Sequence, residues 1–67
     1  MKRNKLVKYL ETNGCTFARE GGNHTLYKNI SNGKASTVPR HSDIKENLCR
    51  KICKDLGIPD ILLQENR

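Results

Sequence analysis

Two turn sequences rich in glycine and asparagine divide the middle of this 67-residue chain into three short segments. The turns are Gly21-Gly22-Asn23 and Ser31-Asn32-Gly33. Because glycine and asparagine accept the backbone angles of tight hairpins, each turn predicts two antiparallel strands that follow one another in sequence. The predicted strands cover residues 15–20, 24–29 and 34–38. Pro39 ends the third strand because it has no N–H group to donate to a neighbour.

Helical patterns lie on both sides of this strand region. An apolar stripe before the first strand predicts a helix over residues 4–12, ended by Asn13-Gly14. A second stripe, with one apolar residue in every four, predicts a helix after the third strand. Asn47 is its expected N-cap and Gly57 its expected end. The stripes consist of Leu6, Val7 and Leu10 in the first helix and of Leu48, Ile52 and Leu56 in the second.

The predicted fold is α+β, in the order α-β-β-β-α, as one domain over residues 1–67. Both helices are expected on one face of a three-stranded antiparallel sheet, which leaves the other face to water or a ligand. This layout resembles a small double-stranded-RNA-binding domain. Pro59 begins a short final helix that contains residues 61–63.

The charge of the chain favours an anionic partner. There are 13 Lys and Arg against 7 Asp and Glu residues, which gives a net charge of +6. Such an excess favours nucleic acid, although charge also serves solubility alone. No segment resembles a membrane span or a signal peptide, so the expected location is the cytoplasm.

The three cysteines argue against a disulfide framework because their number is odd. Cys49 and Cys53 lie four residues apart, a spacing that zinc can use, but a closed thiolate site needs four clustered ligands. We therefore expect Cys15, Cys49 and Cys53 to be reduced thiols that pack as small hydrophobic side chains.

His24 is the candidate for chemistry. It begins the second predicted strand, directly after a tight turn, so the sheet holds it at its rim. An accessible imidazole exchanges protons near neutral pH, and RNA supplies its own nucleophile in the 2′-hydroxyl. These features suggest acid–base chemistry on a phosphodiester, with charge on the phosphate offset by Lys28, Lys34 or Arg40. The alternative is that His24 is an ordinary solvated strand residue.

Three further residues have both a functional and a structural interpretation. His41 is either a second acid–base group or a residue that fixes its loop, and the structural role is favoured. Tyr27 either stacks on a base or packs in the sheet. Lys5 either contacts phosphate, in a patch with neighbouring cations, or lies on a solvated helix face. The other cations of that patch are Lys2, Arg3, Lys8, Lys28 and Lys34.

Four sequence motifs in a fixed order resemble the HicA family of toxins from toxin–antitoxin modules. The motifs are Asn13-Gly14, Gly21-Gly22-Asn23-His24-x-x-Tyr27, Gly33-Lys34…Val38-Pro39-x-His41 and Leu48-x-x-x-Ile52-x-x-x-Leu56-Gly57-Ile58. The resemblance covers nearly the whole chain. Asn23 departs from the Gly-Ser-His of many members, and Glu46-Asn47 departs from their Gly-Thr before the second helix.

The resemblance implies the double-stranded-RNA-binding-like fold and the activity of an mRNA interferase, a small endoribonuclease. It implies that His24 is the catalytic residue and that neither a metal nor an organic cofactor is needed. It also implies a HicB-type antitoxin as the partner that covers the active site. Two rival functions are a non-catalytic RNA-binding module and a protein whose only partner is an acidic protein.

Overall fold

The structure is a computed structural model that describes the backbone of residues 1–65 and the side chains of residues 1–63. The elements are α1 (Arg3–Thr12), β1 (Cys15–Gly21), β2 (His24–Asn29), β3 (Ala35–Pro39), α2 (Glu46–Leu56) and α3 (Ile61–Glu65). The predicted α-β-β-β-α order is confirmed, and so is a short final helix, although it begins at Ile61 and not at Pro59 as predicted. The boundaries of α1 and of the three strands lie within one residue of the predicted ones.

The three strands form one antiparallel sheet in the order β1-β2-β3, so β2 is central. One side of the sheet, the covered face, contains the buried strand residues Cys15, Thr25, Tyr27, Asn29, Ser36 and Val38, and also Phe17 and Glu20 of the edge strand β1, which are exposed. The opposite side, the open face, contains Thr16, Arg19, Gly21, His24, Leu26, Lys28, Ala35, Thr37 and Pro39. The alternation of side chains along each strand separates these two sets.

The hydrophobic core lies between the covered face and the helices. It unites Leu6 and Leu10 of α1, the apolar covered-face residues, and the stripe of α2 in one cluster. Within α2 the stripe consists of Cys49, Ile52, Cys53 and Leu56, each at most 1% exposed. The residues of the open face are exposed or half-buried. The prediction that both helices cover one side of the sheet is therefore confirmed.

The end of α2 is confirmed at Gly57, where φ is 69°. This left-handed conformation favours glycine. A Cβ atom here would also lie 2.7 Å from Nδ2 of Asn32, so a larger residue would have to displace that side chain.

The start of α2 differs from the prediction. Asn47 was expected to cap the helix, but the helix begins at Glu46 and its N-cap is Lys45. The preceding segment pairs with the N-terminus, since the Ile44 N–H donates to the Met1 carbonyl at 2.7 Å. Because this pairing ends at Ile44, the chain enters the helix directly afterwards, and the prediction of Asn47 as N-cap is wrong.

Asn29 connects β2, the following turn and α2. Its side-chain amide donates to the Leu56 carbonyl at 2.8 Å, and its side-chain oxygen accepts from the N–H and hydroxyl of Ser31. The side chain is 2% exposed, so these bonds replace contacts with water. Asn29 thus holds the last turn of α2 against the sheet.

All three cysteines are buried free thiols, as predicted. Burial raises the pKa of the Cys15, Cys49 and Cys53 thiols because the apolar surroundings disfavour the thiolate.

Within the described residues, no helix has both the length and the apolar character needed to span a membrane.

We expect Asn29→Ala to lower the free energy of unfolding by about 2 kcal/mol, because it leaves buried or half-buried polar groups without their partner. Urea denaturation measures this loss. Asn32→Ala is the matched control, since Asn32 donates to the same Leu56 carbonyl from an exposed position. Equal losses in the two variants would contradict the central role of Asn29.

The buried thiols are expected to react with a water-soluble disulfide reagent only when the chain unfolds. Absorbance of the released thiolate at neutral pH measures the reaction with and without denaturant. All three cysteines should react in denaturant. Rapid reaction of the native chain would show that at least one thiol is accessible.

Candidate active site

His24 is the first residue of β2 and lies at the rim of the open face. Its neighbours across the two strand pairs are Gly21 of β1 and Pro39 of β3. The side chain is exposed, whereas the next residue, Thr25, is 3% exposed and points into the core. The sheet therefore fixes the backbone at His24 while its imidazole stays in contact with solvent, at the position that the sequence predicted.

A shallow cavity opens in front of this imidazole. The His24 cavity has a volume of about 270 Å³ and is lined by Arg19, Gly21, His24, Leu26 and Thr37. Because Gly21 has no side chain, nothing projects from the position of β1 that lies across from His24. A substrate group can therefore approach the imidazole from the open face.

A β-bulge in β1 brings Arg19 to this cavity. Phe17 pairs with Tyr27 and Arg19 pairs with Leu26, so Ala18 is the extra residue that has no partner. In a regular strand, Arg19 would lie on the same side as Phe17, which is the covered side. The bulge reverses the alternation and places Arg19 on the open face.

Arg19 was not among the residues that the sequence predicted for the site. Strict alternation along β1 would place it on the side of Cys15 and Phe17, away from His24. The available signal is a mismatch, since a charged residue stands where alternation from the apolar residues Cys15 and Phe17 leads to another apolar residue.

Behind the cavity, a chain of hydrogen bonds ties the rim of the sheet to the start of α1. We call it the rim network, and it consists of Arg3, Glu20, Thr25, Pro39 and Arg40. Arg3 donates from Nε to the Pro39 carbonyl at 2.8 Å and from Nη2 to the Thr25 hydroxyl at 3.1 Å. The Thr25 hydroxyl donates to Glu20 at 3.1 Å, and Arg40 pairs with the second oxygen of Glu20 at 3.2 Å. The network fixes the three strand ends around His24.

The three cations that the sequence placed nearest to the phosphate do not line the His24 cavity. Lys28 lies on the open face, on the far side of Leu26 from His24. Lys34 precedes β3 at the other end of the sheet, where its side chain lies beside Gly57. Arg40 is bound to Glu20 in the rim network.

Tyr27 is part of the core, with 5% of its surface exposed. It lies on the covered face, on the opposite side of the sheet from His24. The predicted base-stacking role does not fit this position, because the ring would have to leave the core to reach a base. The alternative interpretation of Tyr27 as a packing residue fits the structure.

His41 is exposed and follows β3. It lines a different cavity, of about 440 Å³, together with Pro39 and Leu48 among others. It therefore does not share the His24 cavity.

Lys5 lies at the start of α1, beside a surface cavity of about 580 Å³ whose lining also includes Lys2, Arg3 and Arg40. Part of the predicted basic patch thus comes together here, next to the rim network. Lys28 and Lys34 are not among the residues that line this cavity.

In the part of the chain that the structure describes, no three His, Cys, Asp or Glu side chains are grouped as metal ligands would be.

Comparison with known proteins supports one family. The family model described as HicA toxin of bacterial toxin-antitoxin matches residues 3–58. No curated protein and no solved structure matches the chain.

The rim network predicts a difference between two arginines. Arg3→Ala removes two hydrogen bonds of a half-buried guanidinium, so we expect the free energy of unfolding to fall by about 2 kcal/mol. Arg40→Ala removes only an ion pair whose side chains are 59% and 42% exposed, for which we expect less than about 1 kcal/mol. Thermal and urea denaturation of both variants measures the difference. A larger loss in Arg40→Ala would contradict the role given to Arg3.

Proposed function

The chain belongs to the HicA family of toxins from bacterial toxin–antitoxin systems, and on this basis we propose that it is an endoribonuclease that cleaves mRNA. The observation that carries the proposal is the exposed imidazole of His24 beside a cavity on the open face. Acid–base catalysis requires such a group within reach of the reacting oxygen.

The proposed reaction uses the 2′-hydroxyl of the RNA as the nucleophile. As a base, neutral His24 takes the proton of this hydroxyl while the 2′-oxygen forms a bond to phosphorus. The bond from phosphorus to the 5′-oxygen breaks, and the leaving oxygen takes a proton from water. As an acid, His24 instead gives its proton to the leaving 5′-oxygen, while a water molecule takes the proton of the 2′-hydroxyl. Either role yields a 2′,3′-cyclic phosphate and a 5′-hydroxyl, and neither needs a metal or an organic cofactor.

Electrostatics support RNA as the substrate. The open face contains Arg19, His24 and Lys28, and none of its nine strand residues is acidic. The chain as a whole has a net charge of +6. An RNA strand on this face therefore meets positive charge, which strengthens binding to phosphate without selecting a base sequence.

We further propose that the partner is a HicB-type antitoxin that neutralises the toxin by covering the open face. Family membership implies an antitoxin. A protein that covers the His24 cavity would exclude RNA from the only side of the sheet that helices leave uncovered in the described part of the chain. The proposed site of action is the cytoplasm, where mRNA is present.

Growth of a bacterial host after induction tests the function, with His24→Ala beside the wild-type chain. We expect the wild type alone to arrest growth, when immunoblots show equal amounts of both proteins. In vitro, we expect His24→Ala to cleave RNA at least about 100-fold more slowly, because general acid–base catalysis contributes roughly that factor or more. End analysis should find cyclic phosphate or 3′-phosphate together with 5′-hydroxyl.

His41→Ala is the matched control, because it removes the other exposed imidazole outside the His24 cavity. We expect it to retain cleavage. Loss of cleavage in this variant would show that a second histidine takes part. Products with 5′-phosphate ends would exclude attack by the 2′-hydroxyl. Binding of RNA without cleavage by the wild type would identify a non-catalytic RNA-binding module instead.

A further inference from the structure

We propose that Arg19 binds the phosphate group that lies in the His24 cavity, at the bond that is cleaved. The inference deepens the proposed function and rests on it. It assigns a role to a residue that neither the sequence motifs nor the family match single out.

The position of Arg19 follows from the register of the sheet. Gly21 lies directly across from His24, and Arg19 lies across from Leu26 on the same face. Arg19 and His24 are therefore diagonal neighbours, whose Cα atoms are about 7–8 Å apart in an antiparallel pair, within reach of long side chains. The gap left by Gly21 separates them and forms part of the cavity floor.

Arg19 is also the cation that the fold leaves available. Its guanidinium makes no hydrogen bond or ion pair with any residue that the structure describes. By contrast, Arg3 and Arg40 are both held in the rim network. Among the residues that line the His24 cavity, Arg19 alone is a cation.

The chemistry of the proposed reaction calls for such a group. Attack by the 2′-oxygen increases the negative charge on the two non-bridging oxygens of the phosphate until the 5′-oxygen leaves. A guanidinium donates two parallel N–H groups to such a pair of oxygens and remains charged at all relevant pH values. Arg19 would therefore hold the phosphate beside His24 and stabilise the transition state.

The test compares Arg19→Ala, Arg19→Lys and the control Lys54→Ala, which removes one positive charge from an exposed position of α2. Cleavage rates are measured on an RNA substrate. Affinity is measured by fluorescence anisotropy, over a range of salt concentrations, on a 2′-O-methyl RNA, which lacks the nucleophile. Thermal unfolding shows whether each variant folds, and we expect it to change little, because the Arg19 side chain is exposed and unpaired.

We expect Arg19→Ala to lower the cleavage rate about 100-fold, as loss of one transition-state donor typically does. Arg19→Lys should give an intermediate rate, because it keeps the charge but loses the paired donors. In Arg19→Ala, log affinity should decrease less steeply with log salt. The magnitude of the slope should be smaller by about 0.7, the value for one lost phosphate contact on a single strand. Lys54→Ala should change neither the rate nor the slope.

The outcomes separate this inference from the proposed function. Cleavage by the wild type with an unchanged rate in Arg19→Ala would overturn the role of Arg19 and leave the function intact. If the wild type binds RNA without cleaving it, the proposed function fails. In that case an unchanged salt dependence of RNA affinity in Arg19→Ala overturns the inference as well. A less steep salt dependence in this variant supports a phosphate contact at Arg19. A chain that neither binds nor cleaves RNA contradicts both.

Discussion

The hydrophobic core forms on one side of the sheet only, because α1 and α2 both pack against the face that contains Tyr27 and Val38. Burial of apolar surface on this side supplies most of the favourable energy of a chain this small, and the described residues contain no further long helix to cover the other side. The open face is therefore left mostly to polar residues, with Gly21 and Ala35 exposed and Leu26 and Pro39 half-buried among them. This division explains why the exposed imidazole of His24 and the cations Arg19 and Lys28 lie on one surface.

The arginines near the rim are of two kinds, those bound in the rim network and Arg19, which is not. Arg40 binds Glu20 directly in an ion pair, and Arg3 is linked to Glu20 through the Thr25 hydroxyl. Both arginines therefore stabilise the strand ends. Arg19 has no such partner in the described structure. Because the network holds the backbone on both sides of His24, the Cα position of His24 is fixed, although its imidazole is exposed to solvent. Preorganisation of this kind lowers the cost of aligning a reacting group.

Local patterns in the sequence predicted most of the fold. Glycine-containing turns and apolar stripes act over a few residues, so they located the helices and the strands. The pattern also placed His24 at the rim, since its position depends only on the turn before it. The N-cap of α2 could not be found in this way, because the helix begins at Glu46, directly after a segment in which Ile44 pairs with Met1, far away in sequence. Tyr27 was ambiguous for a similar reason, since only the packing of helices shows which face of β2 is buried.

The bulge at Ala18 resolves a conflict within β1. In a regular strand Arg19 would lie on the covered side with Cys15 and Phe17, although β1 buries only Cys15 and leaves Phe17 58% exposed. One extra residue reverses the alternation, so that Arg19 lies on the open face and Glu20 lies across from Thr25, at the cost of one unpaired strand position. The reversal thus separates Arg19 from Glu20, which binds Thr25 and Arg40 instead. Arg19 has no carboxylate partner in the described structure, whereas Lys2, Arg40, Arg50 and Lys51 pair with acidic residues at the surface. An open face without acidic strand residues leaves Arg19 free for an anionic ligand.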